Sequence, residues 1–134
     1  QKGYFSSIIY EKYRCVKNGT TLNNENKYSI TLVTGIANPN DLRQYLEKKG
    51  RIVELIKFSD HHNYTIKDIQ KILRTHNKNK SAKKLILTTE KDATKLRSFL
   101  TYFQNENIYY IPINIKINSK ETFENQLLEY VTSN

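Results

Sequence analysis

One cysteine, four glycines and two prolines leave this 134-residue chain without the raw material of several common sites. Cys15 alone can form neither an internal disulfide nor a multi-cysteine zinc site, and so sparing a use of thiols fits a reducing compartment. With four glycines there is no G-x-G-x-x-G and no G-x-x-x-x-G-K-[ST], so these residues carry neither a dinucleotide fingerprint nor a P-loop. No apolar run approaches the roughly 20 residues of a membrane-spanning helix. The opening stretch is too polar and too regularly alternating for a signal peptide. The chain starts without Met, inside what reads as a strand, as a piece of a longer protein would.

Acidic residues are also in short supply, 13 against 22 basic ones, for a net charge of +9. That excess favours anionic partners: nucleic acid, a phospholipid surface or a phosphorylated substrate. The basic residues are spread out, with one local run at residues 78–84 (KNKSAKK), and no recognisable nucleic-acid motif accompanies them. A chain of this length is one domain's worth, able to bury roughly two thirds of the surface it exposes when unfolded.

Hydrophobic periodicity divides the chain into alternating strands and helices. Residues 4–10 (YFSSIIY) read as a strand and residues 17–27 (KNGTTLNNENK) as a polar loop. Residues 28–34 (YSITLVT) form the next strand, ending at Gly35. After Pro39, Leu42, Tyr45 and Leu46 share one helical face, and Gly50 follows where a helix C′ residue belongs. Residues 52–58 (IVELIKF) are a strand. Thr65 caps a second helix, with Asp68 at the capping-box position and Ile66, Ile69, Ile72 and Leu73 as its buried stripe.

Residues 85–88 (LILT) then read as a buried strand, and Thr89 opens a third helix with Asp92 at N3 and Ala93, Leu96, Phe99 and Leu100 inward. Residues 108–113 (IYYIPI) are a strand whose Pro112 calls for an edge or a strand end. Ser119 caps a final helix carrying Phe123, Leu127, Leu128 and Val131. The fold class is α/β: a three-layer α/β/α sandwich with a mainly parallel sheet and right-handed crossovers. Residues 1–27 are expected to be a linker strand and polar loop, and residues 28–134 the α/β domain.

In open α/β sheets ligands bind beyond the carboxyl ends of the strands. Three loops leave that edge. Residues 34–39 (TGIANP) place Gly35 directly after a strand, where the backbone turns sharply and comes close to a ligand, with Asn38 leading into the helix. Residues 59–64 (SDHHNY) set Asp60 beside His61, and a carboxylate can fix an imidazole's tautomer and raise its basicity for proton transfer. A metal would need further ligands, and His76 lies at the far end of a helix, so no metal site is expected. Residues 88–93 (TTEKDA) open a helix where backbone N–H groups attract anions. Thr89 and Asp92 already serve there as caps. Glu90 and Lys91 form an exposed ion pair, or Lys91 meets a phosphate.

The order TGIANP, then FSDHHNYT, then LILTTEKDA, then YYIPI resembles the C-terminal domain of the tetraacyldisaccharide 4′-kinases of lipid A biosynthesis, from about Tyr4 to the end of the chain. The resemblance implies a two-domain enzyme, each half an α/β/α sandwich, tied by a short β-linker that residues 4–10 look like. It implies an N-terminal half carrying the P-loop, the Mg2+ ligands and an aspartate base. Together the halves would transfer the γ-phosphate of ATP to the 4′-hydroxyl of a tetraacyldisaccharide 1-phosphate, a lipid substrate, peripherally at the cytoplasmic face of the bacterial inner membrane.

By position in the motif, the histidine that the C-terminal domain supplies to the catalytic aspartate is His61, preceded by Asp60. Gly35, Asn38, Thr89, Glu90, Lys91 and Asp92 would shape the substrate-facing wall. The implied partners are the P-loop half, the lipid substrate and an anionic membrane surface, not nucleic acid. ATP and Mg2+ would belong to the intact enzyme, with none bound to these residues alone and no activity expected of them alone. Two other readings stand beside this one. Asp60–His62 suggests a DHH-type phosphoesterase, though that needs several more aspartates and histidines. The net charge suits a stand-alone basic α/β module that grips nucleic acid or another anion.

Overall fold

The structure is a computed structural model that describes residues 5–118. Contacts divide the chain into two units, one made of Gln1–Glu11 and Ile113–Asn134, the other of Lys12–Pro112. Residues 12–27 belong with the sheet.

In the first unit, β1 (Phe5–Tyr10) pairs antiparallel with β7 (Ile113–Asn118), with Ile8 opposite Ile115 and Tyr10 opposite Ile113. Successive side chains point to opposite faces, so these residues share one side of the ribbon. The strand β7 escaped the sequence reading, which ran residues 108–113 together. Pro112 has no N–H to donate and divides them, so β6 (Ile108–Ile111) ends immediately before it. The helix expected from Ser119 lies outside the described residues.

The second unit is a five-stranded sheet in the order β2, β6, β5, β3, β4, where β2 is Arg14–Cys15, β3 Ser29–Thr34, β4 Val53–Lys57 and β5 Lys84–Thr89. All neighbours run parallel except β2, which lies antiparallel to β6 with Arg14 opposite Tyr110. Two residues, one of them charged, show no alternation, so β2 could not be read from sequence. At the centre, β3 and β5 are buried almost throughout. Their near-continuous apolar runs are what a parallel strand covered on both faces requires.

Helix α1 (Asn40–Lys48) joins β3 to β4 and buries Leu42 and Leu46. It ends in a Schellman turn: Gly50 N–H donates to Glu47 O at 3.0 Å and Arg51 N–H to Leu46 O at 3.2 Å. Gly50 takes the left-handed φ of +79° that this turn demands. Helix α2 (Ile66–Lys78) joins β4 to β5 and carries the expected capping box: Asp68 N–H donates to Thr65 Oγ1 at 3.3 Å, and Thr65 N–H to Asp68 Oδ2 at 2.9 Å. Its buried face is Ile69, Ile72 and His76; Ile66, expected inside, is 50% exposed.

Helix α3 (Glu90–Leu96) follows β5 and tightens into a 3₁₀ turn over Arg97–Phe103, with the backbone leaving helical geometry at Phe99. Phe99 and Leu100 are half-buried in consequence, and Phe103 is the fully buried anchor.

The connection through α1 runs outward from β3, while those through α2 and α3 run back the other way. Right-handed crossovers then place α1 on one face and α2 and α3 on the other. Val33, Ile56, Ile86 and Ile108 pack with Ile69, Ile72, Ala93 and Leu96 in one core. By strand alternation Ile30, Leu32, Leu85 and Leu87 point to the opposite side. The connections leaving β3 and β5 run to opposite sides, and the carboxyl ends of these two parallel strands flank the crevice where ligands of such sheets bind.

The basic run 78–84 lies at the other end of the sheet, where α2 ends and β5 begins. Lys84 is spent structurally, donating to His76 O at 2.9 Å and Asn79 O at 2.8 Å and so closing the C-terminus of α2. Beneath it His76 is 1% exposed, its Nδ1 hydrogen-bonded with Thr31 Oγ1 at 2.8 Å. Its Nε2 lies 3.4 Å from Glu106 Oε1 without hydrogen-bond geometry. Burial, with the Lys84 charge adding, pulls the His76 imidazole down from 6.5 to about 4, so the ring is neutral.

Candidate functional site

The carboxyl ends of β3 and β5 meet through Asp92, the N3 residue of α3. Its backbone N–H donates to Thr89 Oγ1 at 3.1 Å, the cap read from sequence. Its carboxylate does more than cap. Oδ2 accepts from the Thr89 hydroxyl at 2.6 Å and from Gly35 N–H at 3.0 Å, and Oδ1 accepts from the Tyr64 hydroxyl at 3.1 Å. One buried side chain thus holds the ends of two strands and the loop after β4. Burial, followed by the Asp92 charge, pushes the Tyr64 phenol far above its ordinary range, so it remains a donor.

Gly35 is needed for closeness. A Cβ there would stand 3.0 Å from Asp92 Oδ1 and 3.1 Å from Ser59 O. The chain leaving β4 clips onto the same turn, with Phe58 N–H donating to Thr34 O at 2.7 Å and His61 N–H to Gly35 O at 3.2 Å, while His62 N–H donates to Ser59 O at 3.1 Å within the loop. From α3, Lys95 Nζ donates to His62 O at 2.7 Å.

The two histidines have different tasks. His62 turns inward, stacked on Phe58 with centroids 4.6 Å apart and edge-on to Tyr64 at 5.0 Å. An ionised carboxylate only accepts, so His62 Nε2–H donates to Asp68 Oδ2, at 2.7 Å. Burial raises the Asp68 carboxyl, but the bonds from His62 and Thr65 outweigh it and leave the group below its usual range. His62 is a strut for the helix cap.

His61 turns outward, its side chain 76% exposed, on a left-handed backbone with φ +62°. Non-glycine residues rarely adopt that conformation, and it persists where the surroundings over-determine it. Asp60 Oδ2 is 3.5 Å from His61 Nε2, and Lys91 Nζ is 3.2 Å from His61 Nδ1 and 3.4 Å from Asp60 Oδ1.

Of the residues singled out in the sequence, Gly35, Asp60, His61, Thr89, Lys91 and Asp92 therefore converge on one rim. Asp92 and Thr89 are enclosed, at 1% and 4% exposure, with the carboxylate's oxygens engaged within the protein. Glu90 and Asn38 are exposed, and Asn38 Nδ2 donates only a long 3.5 Å bond to Asp41. Tyr64 was not among the residues singled out in the sequence. The available signal was its place directly before the Thr65 cap, since a buried phenol normally seeks a partner. Among the described residues, no three His, Cys, Asp or Glu side chains converge as metal ligands.

The sequence profile of the family described as Tetraacyldisaccharide-1-P 4'-kinase matches residues 4–132. A curated Tetraacyldisaccharide 4'-kinase of Bacteroides fragilis is 36% identical over 145 residues, covering 100% of this chain and 39% of its own. One from Cytophaga hutchinsonii is 38% identical over 117 residues, covering 81% of this chain and 33% of its own. The chain thus spans well under half the length of the curated relatives it matches. Among solved structures, LpxK from Aquifex aeolicus, determined in complex with ATP, superposes with a TM-score of 0.54 at 16% identity. That superposition covers 94% of this chain and 35% of the other, a likeness of fold. With the family profile running almost end to end and relatives above 30% identity across the whole chain, the protein belongs to the tetraacyldisaccharide 4′-kinase family.

Proposed function

We propose that this chain is the C-terminal domain of a tetraacyldisaccharide 4′-kinase. The intact enzyme transfers the γ-phosphate of ATP to the 4′-hydroxyl of a tetraacyldisaccharide 1-phosphate, and this domain forms the wall that faces its P-loop half. The observation that carries the reading is His61: an imidazole lifted clear of the domain on a strained backbone, at the switch-point rim, with both ring nitrogens near charged side chains of its own chain. A group so placed suits the orientation of a base supplied by the opposing half. Phosphoryl transfer depends chiefly on such positioning and on charge stabilisation.

ATP and Mg2+ belong to the other half. The residues here do not fit them: the sequence has no glycine-rich phosphate cradle, and the described carboxylates and imidazoles form no metal cluster. Gly35, Asn38 and the turn from Thr89 to Asp92 shape the wall, Thr89 and Asp92 from beneath it. The ribbon of β1 and β7 is the link between the halves.

The enzyme works peripherally at the cytoplasmic face of the bacterial inner membrane. No helix among the described residues is long and apolar enough to cross a bilayer. The remaining lysines of the 78–84 run are available to an anionic surface, at roughly 1 kcal/mol per basic residue near it. The test is phosphate transfer from labelled ATP to a tetraacyldisaccharide 1-phosphate. The intact protein is expected to label the lipid and this chain alone is not. Label transferred by the chain alone, or none by the intact protein, overturns the proposal.

A further inference from the structure

We infer that Lys91 is a positioning residue for His61, acting with Asp60 to set the orientation and tautomer of the ring, with Nδ1 as acceptor and the ring proton on Nε2. The inference rests on the reading of His61 given above and assigns a role to the side chains beside its ring. An ammonium group has three donors and no acceptor, so a Lys91 Nζ at 3.2 Å from Nδ1 requires a lone pair on that nitrogen. The single ring proton of the neutral imidazole is then on Nε2, the atom that lies 3.5 Å from Asp60 Oδ2. The other oxygen of Asp60 returns to Lys91 Nζ at 3.4 Å, closing a triangle of three side chains.

All three members are exposed, and exposed ion pairs add little to stability. Packing does not hold His61 either, since its side chain is 76% exposed. The backbone bond from His61 N–H to Gly35 O fixes where the ring begins, and among the described residues the side chains in reach to fix how it is turned are Lys91 and Asp60. Distances of 3.2–3.5 Å are loose for charged partners, and catalytic bonds often tighten only in the assembled complex. Lys91 was read from sequence as a phosphate contact or half of an ion pair with Glu90. Its side chain is instead turned to the loop after β4.

The test has two arms. In this chain at about pH 8, where an ordinary imidazole is neutral, nitrogen NMR of the histidine rings reads the tautomer directly. The His61 signals are assigned by their loss in His61→Ala. The wild type is expected to show Nδ1 unprotonated and Nε2 protonated. In Lys91→Met, Nδ1 should move toward the protonated range and Nε2 away from it, with thermal stability unchanged. Ring signals identical in wild type and Lys91→Met overturn the inference, whatever the activity.

In the intact enzyme, Lys91→Met is expected to lower kcat about 10-fold or more at unchanged KM for ATP and lipid, the signature of a lost orienting contact. Lys91→Arg, which keeps a cationic donor, should recover part of it. A rise in KM at constant kcat would make Lys91 a substrate ligand and overturn the positioning role. Failure of the wider reading would look different: His61→Ala would leave turnover intact while the NMR result stood.

Discussion

Asp92 Oδ2 accepts the Gly35 amide proton at 3.0 Å, so the carboxylate in the first turn of α3 also fixes the turn that leaves β3, 57 residues earlier in the chain. Replacing Asp92 with Ala strands three donors at once: Gly35 N–H, the Tyr64 hydroxyl and the Thr89 hydroxyl. Buried groups left unpaired cost about 1–3 kcal/mol each at most, and relaxation shares the loss, so a destabilisation of about 3 kcal/mol is expected in urea unfolding. Asp92→Asn keeps one accepting oxygen and should lose less. A loss under about 0.5 kcal/mol for the alanine variant would contradict the hub.

Gly35→Ala tests the same junction from the other side. No left-handed backbone is at stake, only space: the new methyl meets Asp92 Oδ1 at 3.0 Å and the Ser59 carbonyl at 3.1 Å. A shift of a few tenths of an ångström relieves this, so the expected cost is about 1–2 kcal/mol. Thermal denaturation checks it, and the loss should be smaller than that of Asp92→Ala.

Acid should weaken the domain in two separate steps. The His76 imidazole is held at about 4 in the folded protein against 6.5 for the ordinary group. Below 6.5 the unfolded chain takes up a proton that the folded one does not, so stability falls as pH drops from about 6.5 to 4, by roughly 3 kcal/mol. Asp68 is shifted down, so its contribution is present above its unfolded value and disappears below it, at still lower pH. Unfolding free energy measured in urea across pH 4–7 should slope upward with pH, and the slope should flatten in His76→Gln. A wild-type profile flat over that window would contradict the buried neutral ring.

How much of this was legible from sequence depends on the range of the interaction. The Thr65–Asp68 capping box, the Gly50 stop and the apolar runs of β3 and β5 are local signals, set within a few residues, and all were readable. The loops at the carboxyl ends of those strands were readable too, because topology alone brings them to one rim. What escaped was long-range or conformational. No periodicity links Tyr64 or Gly35 to Asp92, and nothing in Asp60–His62 announces that one imidazole turns in to brace a cap while its neighbour turns out. The two-residue β2 is too short to show a pattern. The division of residues 108–118 at Pro112 was half visible: the proline signalled an end, but not that a strand resumes after it.

The basic run has a testable share in membrane binding. Lys84 is left in place because it closes α2. Changing Lys78, Lys80 and Lys83 to Gln in the intact protein should weaken sedimentation with anionic vesicles by about 10-fold or more, at roughly 1 kcal/mol per charge near the surface, and the effect should fade in high salt. Undiminished vesicle binding would remove this run from the interface.

The most direct measurement is the turnover number of the intact kinase carrying His61→Ala, with nucleotide and lipid both saturating. If His61 orients the base of the opposing half, kcat falls by about 100-fold or more while the fold and the KM for ATP are retained. A kcat equal to that of the wild type would contradict the account.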